Sequence, residues 1–227
     1  MGAGSLISFV NICLMEVCLS DIEIQLQKRW NYPYKWFRKQ NNKWDNYTNF
    51  IYKISTWDQL ISAIAQLVEQ EKLDKKETFY YAINRWYNFW SAVAVENIFC
   101  KQPGILPAKN SKDRLVDFSI QNISFDHKTS VFPRGFRKDF SYAKSHKEEL
   151  IYWLYHNQSK EQRQHFSNRL FVVVHAANKE HWKLKAEITL LNEAVTKYVA
   201  TFDVSKLTRV NFPENNTALS DIIWVEK

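Results

Sequence analysis

The stretch VDFSIQNISFDHKTSVF, residues 116–132, constrains the fold more than any other part of the chain. Apolar and polar residues alternate on both sides of Gln121-Asn122, the period-two pattern of two strands joined by a tight turn. A helix-forming run follows from about Lys144 to His156, and after it comes the apolar run RLFVVVHAA. That run does not alternate, as in a strand covered on both faces. A hairpin requires antiparallel pairing, whereas strand, helix and buried strand in succession require a parallel pair joined by a right-handed crossover. Both fit in one sheet only if the sheet is mixed. The expected fold class is therefore α/β, a mixed central β-sheet flanked by helices.

With Gln121 and Asn122 as a two-residue turn, Ile120 faces Ile123, Phe118 faces Phe125, and Asp117 falls opposite Asp126. Alternation then sends Asp117, Asp126 and Lys128 to one side of the hairpin. His127 goes to the other side, as a packed core residue. Opposed side chains have β-carbons about 4.5–5.5 Å apart, so two carboxylates there repel. Lys128 can neutralise one of them. A hard divalent cation such as Mg²⁺ relieves both, because it prefers carboxylate and water oxygens. The turn lacks the preferred glycine, and a bulge would shift this register. The plain alternative is a solvated hairpin face on which Asp126 and Lys128 form an ordinary surface pair.

Upstream, STWDQLISAIAQLVEQEKL opens with a capping-box pattern at Ser55 and Asp58 and carries Leu60, Ile61, Ile64, Leu67 and Val68 at helical spacing. A second helix is expected from about Thr78 to Cys100, with Ala82, Trp86, Phe89 and Val93 along one stripe and Glu96 next on it. Glu96 is flanked by apolar residues and is costly to bury without a partner. Its alternative is a helix end that has turned into solvent. A later helix follows from Leu184, Ile188, Leu191, Val195 and Tyr198, with short strands near FDVSKL and DIIWVE.

Several function classes are disfavoured. The four glycines, at 2, 4, 104 and 135, form no phosphate-cradling loop, which argues against P-loop enzymes, kinases and Rossmann dehydrogenases. Three cysteines, at 13, 18 and 100, are too few for a disulfide framework or a cysteine-rich zinc site, so a cytoplasmic location and a simply buried Cys100 are expected. His175 and His181 have no helical i, i+4 partner and no nearby cysteine, which disfavours zinc. The segment LISFVNICLMEVCL lacks a basic flank, contains Asn11 and Glu16, and is too short to span a bilayer. No membrane partner is expected, and the first fourteen residues read as an extension or a misplaced start. Lys plus Arg outnumber Asp plus Glu by 31 − 24 = 7, a balance that favours a polyanionic partner.

In this order the residues resemble the PD-(D/E)XK nuclease superfamily, the restriction-endonuclease-like fold. Its members commonly carry a glutamate on a helix, an aspartate on one strand, (D/E)-x-K on the next, then a helix and a further strand. The matching segments are SAVAVENIF with Glu96, LVDFSI with Asp117, ISFDHKTS with Asp126 and Lys128, KEELIYWLYH, and RLFVVVHAA. The resemblance covers roughly residues 78–200. It departs from the pattern in that Asp117 follows valine in place of proline and no clear first strand lies between Glu96 and Asp117.

The resemblance implies a metal-dependent nuclease, an Mg²⁺-dependent endonuclease hydrolysing phosphodiester bonds of DNA, of restriction or mobile-element type. Mn²⁺ would be a substitute ion and RNA the less favoured substrate. Asp117 and Asp126 would be metal ligands, Glu96 a ligand or the holder of a metal-bound water, and Lys128 a contact to water and phosphate. The competing reading is a non-catalytic nucleic-acid-binding module with the same fold. Two-fold symmetric cleavage would imply a homodimer.

Basic residues supply candidate nucleic-acid contacts. PRGFRKDF offers Arg134, Arg137 and Lys138, with Gly135 permitting close approach of a phosphate backbone. Further upstream, RWNYPYKWFRKQNNKW mixes Arg38, Lys39 and other cations with aromatic rings, suited to phosphate contact plus base stacking. The same rings equally suit anchoring of this segment to the core. Residues 1–54 are accordingly read as a basic, aromatic extension packed on a nuclease-like domain at 55–227.

Overall fold

The computed structural model describes residues 17–108, 115–157 and 166–227; the reading of the first fourteen residues falls outside these. Helix α1 (Leu19–Gln27) and the short α2 (Asn42–Tyr47) precede α3 (Trp57–Glu71) and the long α4 (Lys75–Cys100). The strands are β1 (Ile105–Pro107), β2 (Phe118–Ile120) and β3 (Ile123–Val131). Helices α5 (Phe140–Ser145) and α6 (Lys147–Asn157) lead to β4 (Arg169–His175), then come α7 (Ile188–Ala200), β5 (Thr208–Asn211) and β6 (Thr217–Glu226).

The six strands form one mixed sheet in the order β1-β2-β3-β4-β6-β5. The first three pair antiparallel, β4 runs parallel to both β3 and β6, and β5 pairs antiparallel with β6. The fold is thus α/β with a mixed sheet, as the hairpin and crossover require. In β4 every residue but the terminal His175 is buried, which explains its unbroken apolar run. Leu170, Val172 and Val174 pack with α4 and α7, whereas Phe171 and Val173 pack with α6 on the other face. No helix among the described residues is long and apolar enough to cross a membrane.

Helix α4 organises one side of the molecule. Asp74 caps it, accepting the Glu77 N–H at 2.7 Å, and its 26 residues span about 39 Å. The aromatic N-terminal segment is fastened to it. Trp86 and Trp90 donate their indole N–H groups to Ile54 O and Ile51 O at 2.7 and 3.0 Å. Arg29 is fully buried and donates to Tyr32 O and Asn84 Oδ1, both at 2.6 Å. The rings of Trp30, Tyr32 and Tyr34 pack against the main core.

Five local expectations change. The capping box at Ser55 does not form: α3 starts at Trp57, Thr56 makes no side-chain cap, and Gln25 Oε1 accepts the Trp57 N–H at 2.8 Å. The first strand that the sequence did not show is β1, whose three residues are too few to display a period. The helix expected from Lys144 is two helices, and FDVSKL holds a 3-10 turn at Val204–Lys206 before β5. Cys100, expected as a buried thiol, is half-buried at the end of α4.

Candidate metal centre

The hairpin turn forms as expected. Gln121 and Asn122 both take positive φ, 48° and 66°, the backbone of a tight turn that matches strand twist. Ile120 pairs with Ile123 and Phe118 with Phe125. The alternation stops there. The Asp117 N–H donates to Phe125 O at 2.8 Å, the residue already opposite Phe118, so two residues on one strand face one on the other. This is a β-bulge, and it turns Asp117 off the alternating face.

Asp117 therefore meets His127. Its Oδ2 accepts the His127 backbone N–H at 2.8 Å and lies 2.7 Å from His127 Nδ1. His127 does take the face opposite Asp126 and Lys128, and its ring packs on Phe99 and Phe118; the alternation did not show that Asp117 would meet His127 there. Its strand face is indeed the one carrying Leu170 and Val172, but the bulge brings Asp117 there and α4 brings Glu96. Ligand atoms of Glu96, Asp117 and His127 all lie within 4.8 Å of one another. Oxygens or nitrogens at about 2.1 Å from one ion are at most about 4.2 Å apart, so a small contraction would let these three share a divalent cation.

Asp126 and Lys128 point to the other face of β3, where Asp126 pairs with Arg169 and Lys128 with Phe171 in the parallel register. Arg169 Nε donates to Asp126 Oδ2 at 2.6 Å and its Nη2 lies 2.5 Å from the same oxygen. The counter-ion of Asp126 is thus Arg169, where Lys128 was expected. Asp117 still lies close enough for its negative charge to raise Asp126. The signal for Arg169 was available in the sequence, since a charged residue opening a strand buried on both faces needs an acid beside it.

Electrostatics tie the groups together. Burial raises the Glu96 carboxyl to about 7, opposed by the His127 charge and reinforced by the two aspartates. Burial also lifts Asp126, to about 6, against the pull of Arg169; at neutral pH it is mostly ionised, in keeping with the short ion pair. For Asp117 burial works upward, but the charge and hydrogen bonds of His127 win and hold it below the usual carboxylate range. Burial alone would lower His127, yet Asp117, Glu96 and Asp126 keep its imidazolium to about pH 9. Lys128 has an exposed residue surface, but its ammonium is shifted downward by partial burial and then by Arg169, against the pull of Asp126.

The remaining candidates lie elsewhere. Arg134, Arg137 and Lys138 are exposed on a turn after β3, and Lys138 Nζ sits 4.9 Å from the centre of the Tyr142 ring. Gly135 is explained by packing: a Cβ there would come 2.8 Å from Trp153 Cζ2. Arg38 donates to Glu77 at 2.8 Å and stacks on Trp44, whereas Lys39 is exposed. His175 and His181 do come together as stacked rings 4.8 Å apart, but His181 Nδ1 accepts the Ala176 N–H. Comparison with models of protein families, with curated proteins and with solved structures gives no match.

Proposed function

We propose that the protein is a divalent-metal-dependent endonuclease acting on DNA, with a restriction-endonuclease-like core. The observation that carries this reading is the convergence of Glu96, Asp117 and His127 where α4, the start of β2 and the middle of β3 meet. Support for the core comes from the element order, a glutamate-bearing helix, three antiparallel strands, a crossover helix and a parallel strand. A bound divalent ion would supply a water of lowered pKa and stabilise charge on phosphoryl oxygens. Asp117 and His127 would hold it. Glu96, poised near neutrality, suits a ligand or an acceptor for a proton of bound water. Asp126, clamped by Arg169, would keep negative charge beside Asp117, and Lys128 would meet a phosphate oxygen.

The donor set adjusts the expected cofactor. Mg²⁺ favours oxygen ligands, whereas an imidazole suits first-row transition ions. Mn²⁺ should therefore outperform Mg²⁺. Supercoiled plasmid incubated with the protein should be nicked fastest in Mn²⁺, more slowly in Mg²⁺ and not at all in EDTA. One observation favours a second reading, a non-catalytic DNA-binding module: Asp117 and Asp126 each already face a cation of the chain itself. A gel shift in EDTA with no nicking in either metal would select that module.

A further inference from the structure

Beyond the cluster, α4 leaves one stripe uncovered. Asn88 and Glu96 are half-buried and Ala92 between them is exposed, while Val93, Ala94 and Val95 are buried. Residues 88, 92 and 96 follow one another at i, i+4, i+8, about 12 Å from end to end. Beside this stripe runs β3, which has no strand partner on its β2 side after Phe125 among the described residues. The groove between them is acidic at Glu96 and, where Lys185 meets Asn88, basic.

The basic end is built around Lys185. Its segment, the 3-10 turn His181–Ala186, is fastened to α4 by Tyr87 Oη donating to Trp182 O and Ser91 Oγ donating to Lys185 O, both at 2.7 Å. Lys185 Nζ then donates to Asn88 Oδ1 at 3.2 Å. Asn88 is itself held by Tyr34, its Nδ2 donating to the hydroxyl at 3.0 Å. A neutral amide is thus the partner this ammonium has among the described residues; no carboxylate lies within ion-pair distance of it there. Lys128 sits close enough to repel it. Burial, then Lys128, push the ammonium down to about 8, although the residue as a whole is only half-buried. Lys128 is drawn by Asp126, whose carboxylate Arg169 already holds, whereas no carboxylate among the described residues serves Lys185; the repulsion between the two ammonium groups is relieved when an anion joins them.

We propose that Lys185 and Lys128 form a phosphate subsite of the groove, with Asn88 as the positioning residue, which seats a DNA backbone phosphate next to the one that meets Glu96, Asp117 and His127. This rests on the proposed function for its substrate, but the subsite is measurable without metal or cleavage. The groove would then read a strand by its charge pattern, metal ligands at one phosphate and ammonium groups at its neighbour.

The test is binding of a fluorescein-labelled DNA duplex in EDTA, by anisotropy over a range of salt, using the full chain. Lys185→Met should weaken binding several-fold and lower the slope of log affinity against log salt by roughly 0.9, the loss of one phosphate contact. Lys185→Arg should restore most of both. The melting temperature of Lys185→Met should equal or exceed that of the wild type, because a buried charge without a carboxylate has gone; a structural lysine would behave the opposite way. Asn88→Asp supplies a second route: a carboxylate in hydrogen-bond reach of Lys185 should raise the melting temperature and weaken DNA binding together. A wild-type salt slope in folded Lys185→Met, or wild-type DNA binding by Asn88→Asp, overturns the subsite, as does failure of the wild type to bind DNA. Mn²⁺ titration followed by electron paramagnetic resonance separates the two ideas. If the wild type binds no Mn²⁺ while Lys185→Met still loses its slope, the subsite stands and the metal reading falls.

Discussion

Two aspartates at the base of the hairpin have each found a cation, on opposite faces of β3. On the α4 side Asp117 meets His127 at 2.7 Å; on the α6 side Asp126 meets Arg169 at 2.5 Å. The pairs look alike and differ in one respect that decides their use. An imidazolium can give up its proton and offer the same nitrogen to a metal, whereas a guanidinium keeps its charge at any pH a protein meets. The Asp117 pair is therefore exchangeable and the Asp126 pair permanent. One can be a site; the other is a support.

The sharpest way to break this comparison is to neutralise each acid in turn. Asp117→Asn should slow Mn²⁺-dependent plasmid nicking by on the order of 10²–10³-fold, since a holder of the ion that would stabilise charge at the reacting phosphate is lost. It should also abolish the rise in melting temperature on adding Mn²⁺. Asp126→Asn should keep that metal-induced rise. A variant pair with the opposite pattern would make Asp126 the ligand and Asp117 the support.

Stability should divide the other way. The Asp126 and Arg169 side chains are only 16% and 10% exposed, so Asp126→Asn strands a buried guanidinium and should cost roughly 3 kcal/mol, a fall of about 6–12 °C in melting temperature for a chain of this size. This reverses what facing, mutually repelling acids would predict, for then removing one charge would leave the protein at least as stable. Asp117→Asn should cost less, because His127 can respond by losing its proton. Thermal melts in EDTA compare the two directly.

The exchangeable pair should also leave a mark on pH dependence. Glu96 is raised from 4.5 to about 7 and His127 from 6.5 to about 9. In both, the folded state holds the proton more tightly than the unfolded chain. The stability each confers is complete below the unfolded value and is lost as pH rises through the folded one. Asp126, raised from 3.8 to about 6, acts in the same direction. Asp117, lowered, opposes them only below about pH 4. Metal-free protein should melt progressively lower from pH 5 to about pH 8; above that Lys185, lowered from 10.5 to about 8, works in the opposite direction. Mn²⁺ competes with those same protons, so its affinity should climb over that range and the stabilisation it gives should be largest where the metal-free protein is weakest. A flat metal-free melting profile would mean that these groups do not share a buried cluster.

What the sequence disclosed and what it hid follow the same physical line. The mixed sheet was legible because β3 and β4 carry patterns, alternation and unbroken apolarity, that report how many faces are covered. The turn register was legible through Ile120, Ile123, Phe118 and Phe125. Glu96 was legible as a carboxylate out of place on an apolar helix. The partners of the two aspartates were not, because one hydrogen bond, from the Asp117 N–H to Phe125 O, moves Asp117 between faces, and no residue at that point demands a bulge. Lys185 was hidden for another reason: its meaning lies in Asn88 and Lys128, 97 and 57 positions away, which only the packing of its turn against α4 brings near.

The smallest expected effect extends the comparison to the cations of the N-terminal segment. Arg38 was read from sequence as a phosphate contact, yet its guanidinium donates to Glu77 at 2.8 Å and lies 4.5 Å from the centre of the Trp44 ring. A cation already held by a carboxylate gains little from a phosphate, because it must first give up a partner of the same charge. Both members of the pair are about one-third exposed, so their mutual attraction is screened by water and contributes about 0.2–1 kcal/mol. Arg38→Ala should therefore lower stability by less than about 1 kcal/mol and leave the salt slope of duplex binding within error of wild type, whereas Lys185→Met changes that slope with no loss of stability. The measurement is the pair of slopes on the same duplex and in the same buffers. If Arg38→Ala flattens the slope as much as Lys185→Met, a carboxylate partner does not disqualify a cation here, and pairing would no longer tell site from support anywhere in this molecule.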